Sequence, residues 1–319
     1  MKKAINVLVT GLFSWLLISC LGQTHRVHAA QTPVVTLGSS LTPEQKAGTL
    51  KTLTAALSGS DYQTITVTGA DLVKYLNPSG ANFTTASGVW SSAMIQENND
   101  GSGINVHILP YQGRDNITTI TANQYKNAAL TAGISNADIY VTSATPIDGS
   151  GALAGVYAAY AQNGNHLNQS QVNAAQNEMN VLSQITQTNK GKSGYSDAQL
   201  NNAIAGAKSA MAKAGTNVSN QQIQIIVNNQ IKINHLENVI TASQKQEIIQ
   251  VLIQIRDSGA LKNHNFREQA NQLADQIQNG AKNIFPKFNT PQTRNWFQKM
   301  IDSIVHFFRN LFGGVIIVH

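Results

Sequence analysis

The sequence predicts an α+β protein: a mixed α/β domain over residues 30–162, then an all-helical bundle or array over residues 163–284. Three observations carry this reading. Short runs in which apolar residues alternate with polar ones, such as Ile65 and Val67 among threonines, lie before residue 162. Beyond it apolar residues recur at helical spacing and no convincing strand remains. One helix-start signal, a Ser, Thr or Asn followed three residues later by Gln or Glu, repeats along the chain.

The first strand is expected at Val34 to Leu37. Thr42-Pro43-Glu44-Gln45 then opens a helix: the Thr42 side chain accepts a backbone hydrogen bond, Pro43 suits the first helical position, and Gln45 reaches back to the cap. Ala47, Leu50, Leu53 and Leu57 mark its apolar face, and Gly59 stops it. Strands follow at Thr64 to Thr68, Ser91 to Glu97, Gly103 to Leu109 and Ala137 to Ser143, with helices near 69–77, 121–132 and 150–162. Asn98-Asn99-Asp100-Gly101-Ser102 reads as a hairpin loop joining the strands on either side of it. Capping spacing recurs in Thr121 with Gln124, Asn168 with Gln171, Ser196 with Gln199, Ser219 with Gln222, Thr241 with Gln244, and Asn265 with Glu268.

In the helical part, Leu200, Ala203, Ile204, Ala207, Met211 and Ala214 share a face that ends at Gly215. Ile248, Val251, Leu252 and Ile255 do the same before Gly259, and Phe266, Ala270, Leu273 and Ile277 before Gly280. The basic loop Thr188 to Gly194 is the expected point of proteolytic nicking. Residues 285–319 differ in kind. After Thr290-Pro291, the apolar residues Trp296, Phe297, Met300, Ile301, Ile304, Val305, Phe308, Leu311 and Phe312 fall at helical spacing, with Arg294, Lys299 and Arg309 among the polar positions. An aromatic apolar face beside a basic one suits a membrane or partner surface; docking as a last bundle helix is the other reading. Gly313-Gly314 leads into a short apolar tail.

A composition of 42% hydrophobic and 12% charged residues fits neither a disordered chain nor a membrane-embedded one. The compartment is read from residues 1–29, as a signal peptide. Met1-Lys2-Lys3 is basic, Ala4 to Leu21 is apolar and uncharged, and Gln23 to Ala30 turns polar and ends in small residues. The apolar run is also close to the roughly 17 residues of the shortest membrane-spanning helices. Two processing routes fit. Val27-His28-Ala29 allows cleavage after Ala29, and Leu17-Ile18-Ser19-Cys20 resembles a lipobox with Cys20 as the lipidated residue. Cys20 is the one cysteine in the chain, so a mature form cleaved after Ala29 has no thiol for disulfides, metal or nucleophilic catalysis. Removing Lys2, Lys3 and Arg26 from the 22 basic residues leaves 19 against 16 acidic ones, so the net charge falls from +6 to +3 and gives nucleic-acid binding little support.

ITANQYKNAALTAGISNADIYVTSATPIDGSGALAGVYAAY, the earlier GADLVKYLNP and the export-like start make residues 34 to about 285 resemble the YpuA-like family of secreted proteins from Gram-positive bacteria, a domain of unknown function. The resemblance implies an extracytoplasmic location and a mixed domain followed by helices. It implies no catalytic residues.

Constellations that carry chemistry are few. Gly149-Ser150-Gly151-Ala152-Leu153-Ala154 formally fits a dinucleotide fingerprint, but Pro146-Ile147-Asp148 separates it from the strand and no second strand with an acidic end follows; a tight turn capped by Ser150 explains it. Lys190-Gly191-Lys192-Ser193 echoes a phosphate loop, with Thr186 where the first glycine belongs. The Asn98 to Ser102 segment lacks the closing glutamate of a calcium loop. His107, His166, His235, His264, His306 and His319 are scattered and do not pair at metal-ligand spacing. Ser91, Ser92, Thr142 and Ser143 carry no signature of an activated nucleophile. Glu97 ends one strand and Asp138 begins another, a pair that a two-carboxylate glycosidase would need.

The expected function is therefore a secreted or envelope-associated binding or structural module without cofactor or metal, whose partners are a cell-surface protein or polymer and a membrane surface, not nucleic acid. The alternatives are a cell-wall hydrolase acting on peptidoglycan or polysaccharide, and a membrane-interacting protein that works through its C-terminal helix.

Overall fold

The computed structural model describes residues 31–284 apart from 99 and 282. Cys20 and the segment carrying Trp296, Phe297, Met300, Ile301, Ile304, Phe308, Leu311 and Phe312 lie outside the described residues.

Five strands form, β1 (Val34–Gly38), β2 (Gln63–Val67), β3 (Ser91–Glu97), β4 (Ile104–Ile108) and β5 (Ala137–Ser143). They make one mixed sheet in the order β2-β1-β3-β5-β4. β1 with β2 and β4 with β5 run parallel, and β3 is antiparallel to both its neighbours. A parallel neighbour needs a crossover, and α1 (Pro43–Thr54) and α3 (Ala122–Ala132) supply the two. Leu53 and Leu57, from α1 and the turn after it, cover Val35, Leu37 and Met94 on one face of the sheet. Beneath the other face lie α2 (Gly69–Leu76), α3 and α4 (Ser150–Gln162), which bury Val34, Ala93, Ile95, Ile139 and Val141. The protein is thus α+β, with the sheet confined to the N-terminal half.

The segment between β3 and β4 is not a hairpin loop. β5 lies between those two strands, so the loop crosses over the start of β5. Its path is fixed by long-range bonds: the Asn98 amide donates to the Asn136 carbonyl at 2.6 Å, and Ala137 N–H to Gly103 O at 3.0 Å.

Five helices follow: α5 (Gln169–Asn189), α6 (Asp197–Ala214), α7 (Asn220–Ile233), α8 (Ala242–Asp257) and α9 (Phe266–Gly280). They build outward from α3 and α2 rather than from the sheet: α5, α6 and α9 pack against α3, and α5 also against α2. α5 packs on α3, α8 on α5, and α9 on α6. One hydrophobic cluster runs from Val34 and Ile139 in the sheet through Leu130 and Val156 to Met211, Leu252 and Phe266. Two glutamines of α9 grip the loop over β5, Gln272 Nε2 donating to Gly101 O at 3.1 Å and Gln276 Nε2 to Ser102 O at 3.1 Å, and a third, Gln269 Nε2, donates to Asn136 Oδ1 at 2.9 Å in the turn beneath it.

Full capping boxes form at Thr42, Thr121, Ser219 and Thr241, while Asn168 and Ser196 cap through their side chains alone. Asn265 does not cap α9. Its backbone is already helical, at φ −96° and ψ 0°, which takes its side chain away from the free N–H groups. Ser150 is not the cap of α4 either. Gly149 holds that place at φ 104°, and Asp148 Oδ1 accepts from the Ser150 amide at 3.0 Å.

Candidate functional site

Two helix starts come together at the head of the helical part. Thr121 caps α3 and Ser196 caps α6, and Asp197, in the first turn of α6, faces both. Thr121 Oγ1 donates to Asp197 Oδ1 at 2.9 Å, Asn201 Nδ2 to the same oxygen at 2.9 Å, and Asn123 Nδ2 to Oδ2 at 3.0 Å. Helix N-termini favour a carboxylate. Burial nonetheless dominates and raises the Asp197 pKa, and the bonds from Asn123, Thr121 and Asn201 offset only part of that.

Beside Asp197 opens a cleft of about 320 Å³, walled by Ile117 to Thr121 before α3, by Thr186, Gln187, Lys190 and Gly191 at the end of α5, and by Tyr195 and Ser196. The Tyr195 hydroxyl donates to Thr186 Oγ1 at 2.8 Å, and Gln124 Nε2 donates to that oxygen at 3.1 Å. Lys190 is exposed at the rim. The walls therefore offer hydroxyls, a phenol and an ammonium around an apolar floor of Ile117 and Ile120.

From the cleft a polar seam runs inward between α3, α5 and α6. Asn201 bonds to Asp197, Asn127 Nδ2 donates to Asn201 Oδ1 at 3.1 Å, and Lys208 Nζ donates to Asn127 O at 2.7 Å and Oδ1 at 3.2 Å. The seam ends in an ion pair, Lys208 Nζ to Glu178 Oε1 at 2.6 Å, with Thr131 Oγ1 donating to Glu178 Oε2 at 2.6 Å. Both side chains of the pair are fully buried. Burial lowers the Lys208 pKa, and the Glu178 charge opposes that shift. Tyr157 is buried nearby, and its hydroxyl has no hydrogen-bond partner among the described residues.

The profile described as "Protein of unknown function (DUF1002)" matches residues 37–273. The chain belongs to the DUF1002 family. Over 272 residues it is 27% identical to the uncharacterized protein YpuA of Bacillus subtilis (strain 168), covering 85% of this chain and 86% of that one. No solved structure matches. The resemblance read from residues 120–160 and from GADLVKYLNP at 69–78 is thereby shown, and the DUF1002 span contains every residue of the cleft and the seam.

Glu97 and Asp138 do not meet in this DUF1002 fold. Glu97 stands opposite Ala137 and Gln96 opposite Asp138, so the two carboxylates point from opposite faces of the sheet and cannot flank one bond. Glu97 accepts from Asn163 and Asn165 at 2.9 and 2.8 Å, and Asp138 from Asn98 and Asn105 at 2.9 and 2.8 Å. Among the described residues no helix is long and apolar enough to cross a membrane.

Composition and spacing missed Asn127, Glu178, Asp197 and Lys208. A signal for Lys208 existed: it stands four residues after Ile204 and eight after Leu200, on the stripe that α6 buries. Asp197→Asn is expected to cost about 1–3 kcal/mol, because an amide NH₂ would face donors where an oxygen now accepts. The penalty should depend on pH. Folding keeps a proton on the raised Asp197 that the unfolded chain gives up near the ordinary value of 3.8. This contribution to stability is therefore full below that value and is lost as pH rises through the folded pKa. Denaturation midpoints measured across the mildly acidic range should show the gap between wild type and variant shrinking as pH rises; a gap that widens contradicts the assignment.

Proposed function

We propose that this DUF1002 chain is an exported, non-enzymatic binding module of the cell envelope, and that the cleft between α3, α5 and α6 holds a polar surface polymer. The observation that carries this reading is the state of the one carboxylate in the cleft. Asp197 is already engaged by three donors, which makes it an anchor for the wall of the site rather than a free acid or base. What the walls still present to a ligand is Lys190 as a donor, and hydroxyls and a phenol that already donate to protein atoms but can accept, over an apolar floor, a pattern that suits the hydroxyl and amide groups of a glycan or wall peptide. The leader-like residues 1–29 support action outside the cytoplasm, and the aromatic, basic segment from Trp296 to Phe312 supports retention at a membrane surface.

The test is co-sedimentation with purified wall polymers. Residues 30–319 should pellet, and Thr119→Arg with Lys190→Glu, which fills the cleft and reverses its rim charge, should weaken binding by about tenfold or more. Equal pelleting of the two removes the cleft from the reading, and failure of both on every polymer removes the binding role. With anionic vesicles, the full chain should pellet and a chain ended at Phe288 should not.

A further inference from the structure

The inner end of the seam places an amine, a carboxamide and a carboxyl group together in the buried core. Lys208 on α6, Asn127 on α3 and Glu178 on α5 are each completely buried. Lys208 Nζ lies 3.2 Å from Asn127 Oδ1; with a C=O bond of about 1.23 Å, the carboxamide carbon is within about 4.4 Å of the amine. Asn127 Nδ2 donates to Asn201 O at 3.2 Å and to Asn201 Oδ1 at 3.1 Å, which fixes the carboxamide with its oxygen toward the lysine. Glu178 Oε1 sits 2.6 Å from the same Nζ. We propose that Lys208 and Asn127 become joined by an intramolecular isopeptide bond, formed in the folded chain with Glu178 as the proton carrier.

The chemistry balances on these residues alone. Glu178 takes a proton from the Lys208 ammonium and leaves a neutral amine, a transfer that burial assists because it penalises the charged lysine. The amine attacks Cγ of Asn127. Glu178 then gives its proton to Nδ2, removes one from Nζ and remains protonated, while the C–Nδ2 bond breaks. The products are a secondary amide between the two side chains, one molecule of ammonia and a neutral Glu178; no oxidant or further reactant is needed. Fixed geometry replaces a bimolecular encounter with a unimolecular one, and complete burial keeps bulk solvent from the reacting groups. The reaction also has a physical drive. Two fully desolvated charges are costly even when paired, and the product replaces them with a neutral amide and a neutral carboxyl. The bond would tie α3 to α6 across an 81-residue span, from Asn127 to Lys208, in a chain whose single cysteine lies in the leader-like segment.

The experiment is mass spectrometry of the purified, denatured chain. The expected result is a mass lower than that of the sequence by one ammonia, and a branched tryptic peptide in which the segment starting at Asn127 is joined to one containing an uncut Lys208. The branched peptide is the deciding readout, because cyclisation of an N-terminal glutamine loses the same mass. Glu178→Gln and Lys208→Arg should give only linear peptides, and Asn127→Asp should give the same branch with loss of water. Should Glu178→Gln fail to fold, the wild-type and Asn127→Asp peptides still decide. A second readout uses the loop at 188–194. Protease cutting there should leave two fragments that stay together on a reducing, denaturing gel. Linear peptides from wild type, or fragments that separate, overturn the proposal and leave Lys208 and Glu178 as an ion pair.

Discussion

Lys208→Met is expected to destabilise the folded chain by about 3–5 kcal/mol, among the largest effects of any single substitution in it. The lysine stem is fully buried against α3 and α5, and methionine fills much of the same volume, so the loss comes from electrostatics and not from a cavity. Without the lysine, Glu178 keeps one hydrogen bond, from Thr131, in a fully buried position away from bulk solvent. A matched double replacement, Lys208→Met with Glu178→Leu, should recover the part of the loss that comes from an isolated buried charge, since a well-packed apolar pair commonly equals or exceeds a buried ion pair. Urea denaturation of the three proteins measures this. Equal damage from the double and the single variant would show that charge isolation is not the cause. Any deficit left in the double variant bounds what the Lys208–Asn127 bond adds to stability.

The parts of the fold that were legible are those that short-range chemistry decides. Alternation at Ile65 and Val67, and at Ile104, Val106 and Ile108, placed two strands to within a residue or two, because one face of each must be buried. Thr42, Thr121, Ser219 and Thr241 marked helix starts because the capping bonds close within four residues. Strand order was not legible in the same way. Nothing local in Asn98 to Ser102 reveals that β5 will insert between β3 and β4; that follows from Asn136 and from the α9 glutamines, more than 30 residues away in sequence. The seam was hidden for a related reason. Asn127, Glu178 and Lys208 each look like ordinary polar helix residues, and only the packing of three helices makes them neighbours. A lysine on an apolar stripe is the one local trace of that arrangement.

Gly38→Ala is the second change expected to be severe, at about 3 kcal/mol, the upper part of the range for overpacking. Gly38 ends β1, beside the segment that leads into β3. A Cβ there would lie 2.3 Å from Val89 O and 2.9 Å from Ser91 O. Both are backbone atoms, so no side-chain rotation relieves the contact. The neighbouring chain is also pinned: Ser40 N–H donates to Val89 O at 3.0 Å, Val89 N–H to Ser40 Oγ at 2.9 Å, and Gly38 N–H to Ser92 Oγ at 3.2 Å. The clash must therefore push β1 away from β3, through the middle of the sheet and not at an edge. Gly280, the last residue of α9, makes the contrast, because a Cβ there meets nothing within 4 Å. Gly280→Ala should be neutral or stabilising by about 0.5 kcal/mol, through helix propensity and a less flexible unfolded chain. Thermal unfolding of the two variants beside wild type separates steric exclusion from a general sensitivity to loss of glycine. A Gly38→Ala protein that melts with wild type would mean that β1 and β3 stand further apart than these distances place them.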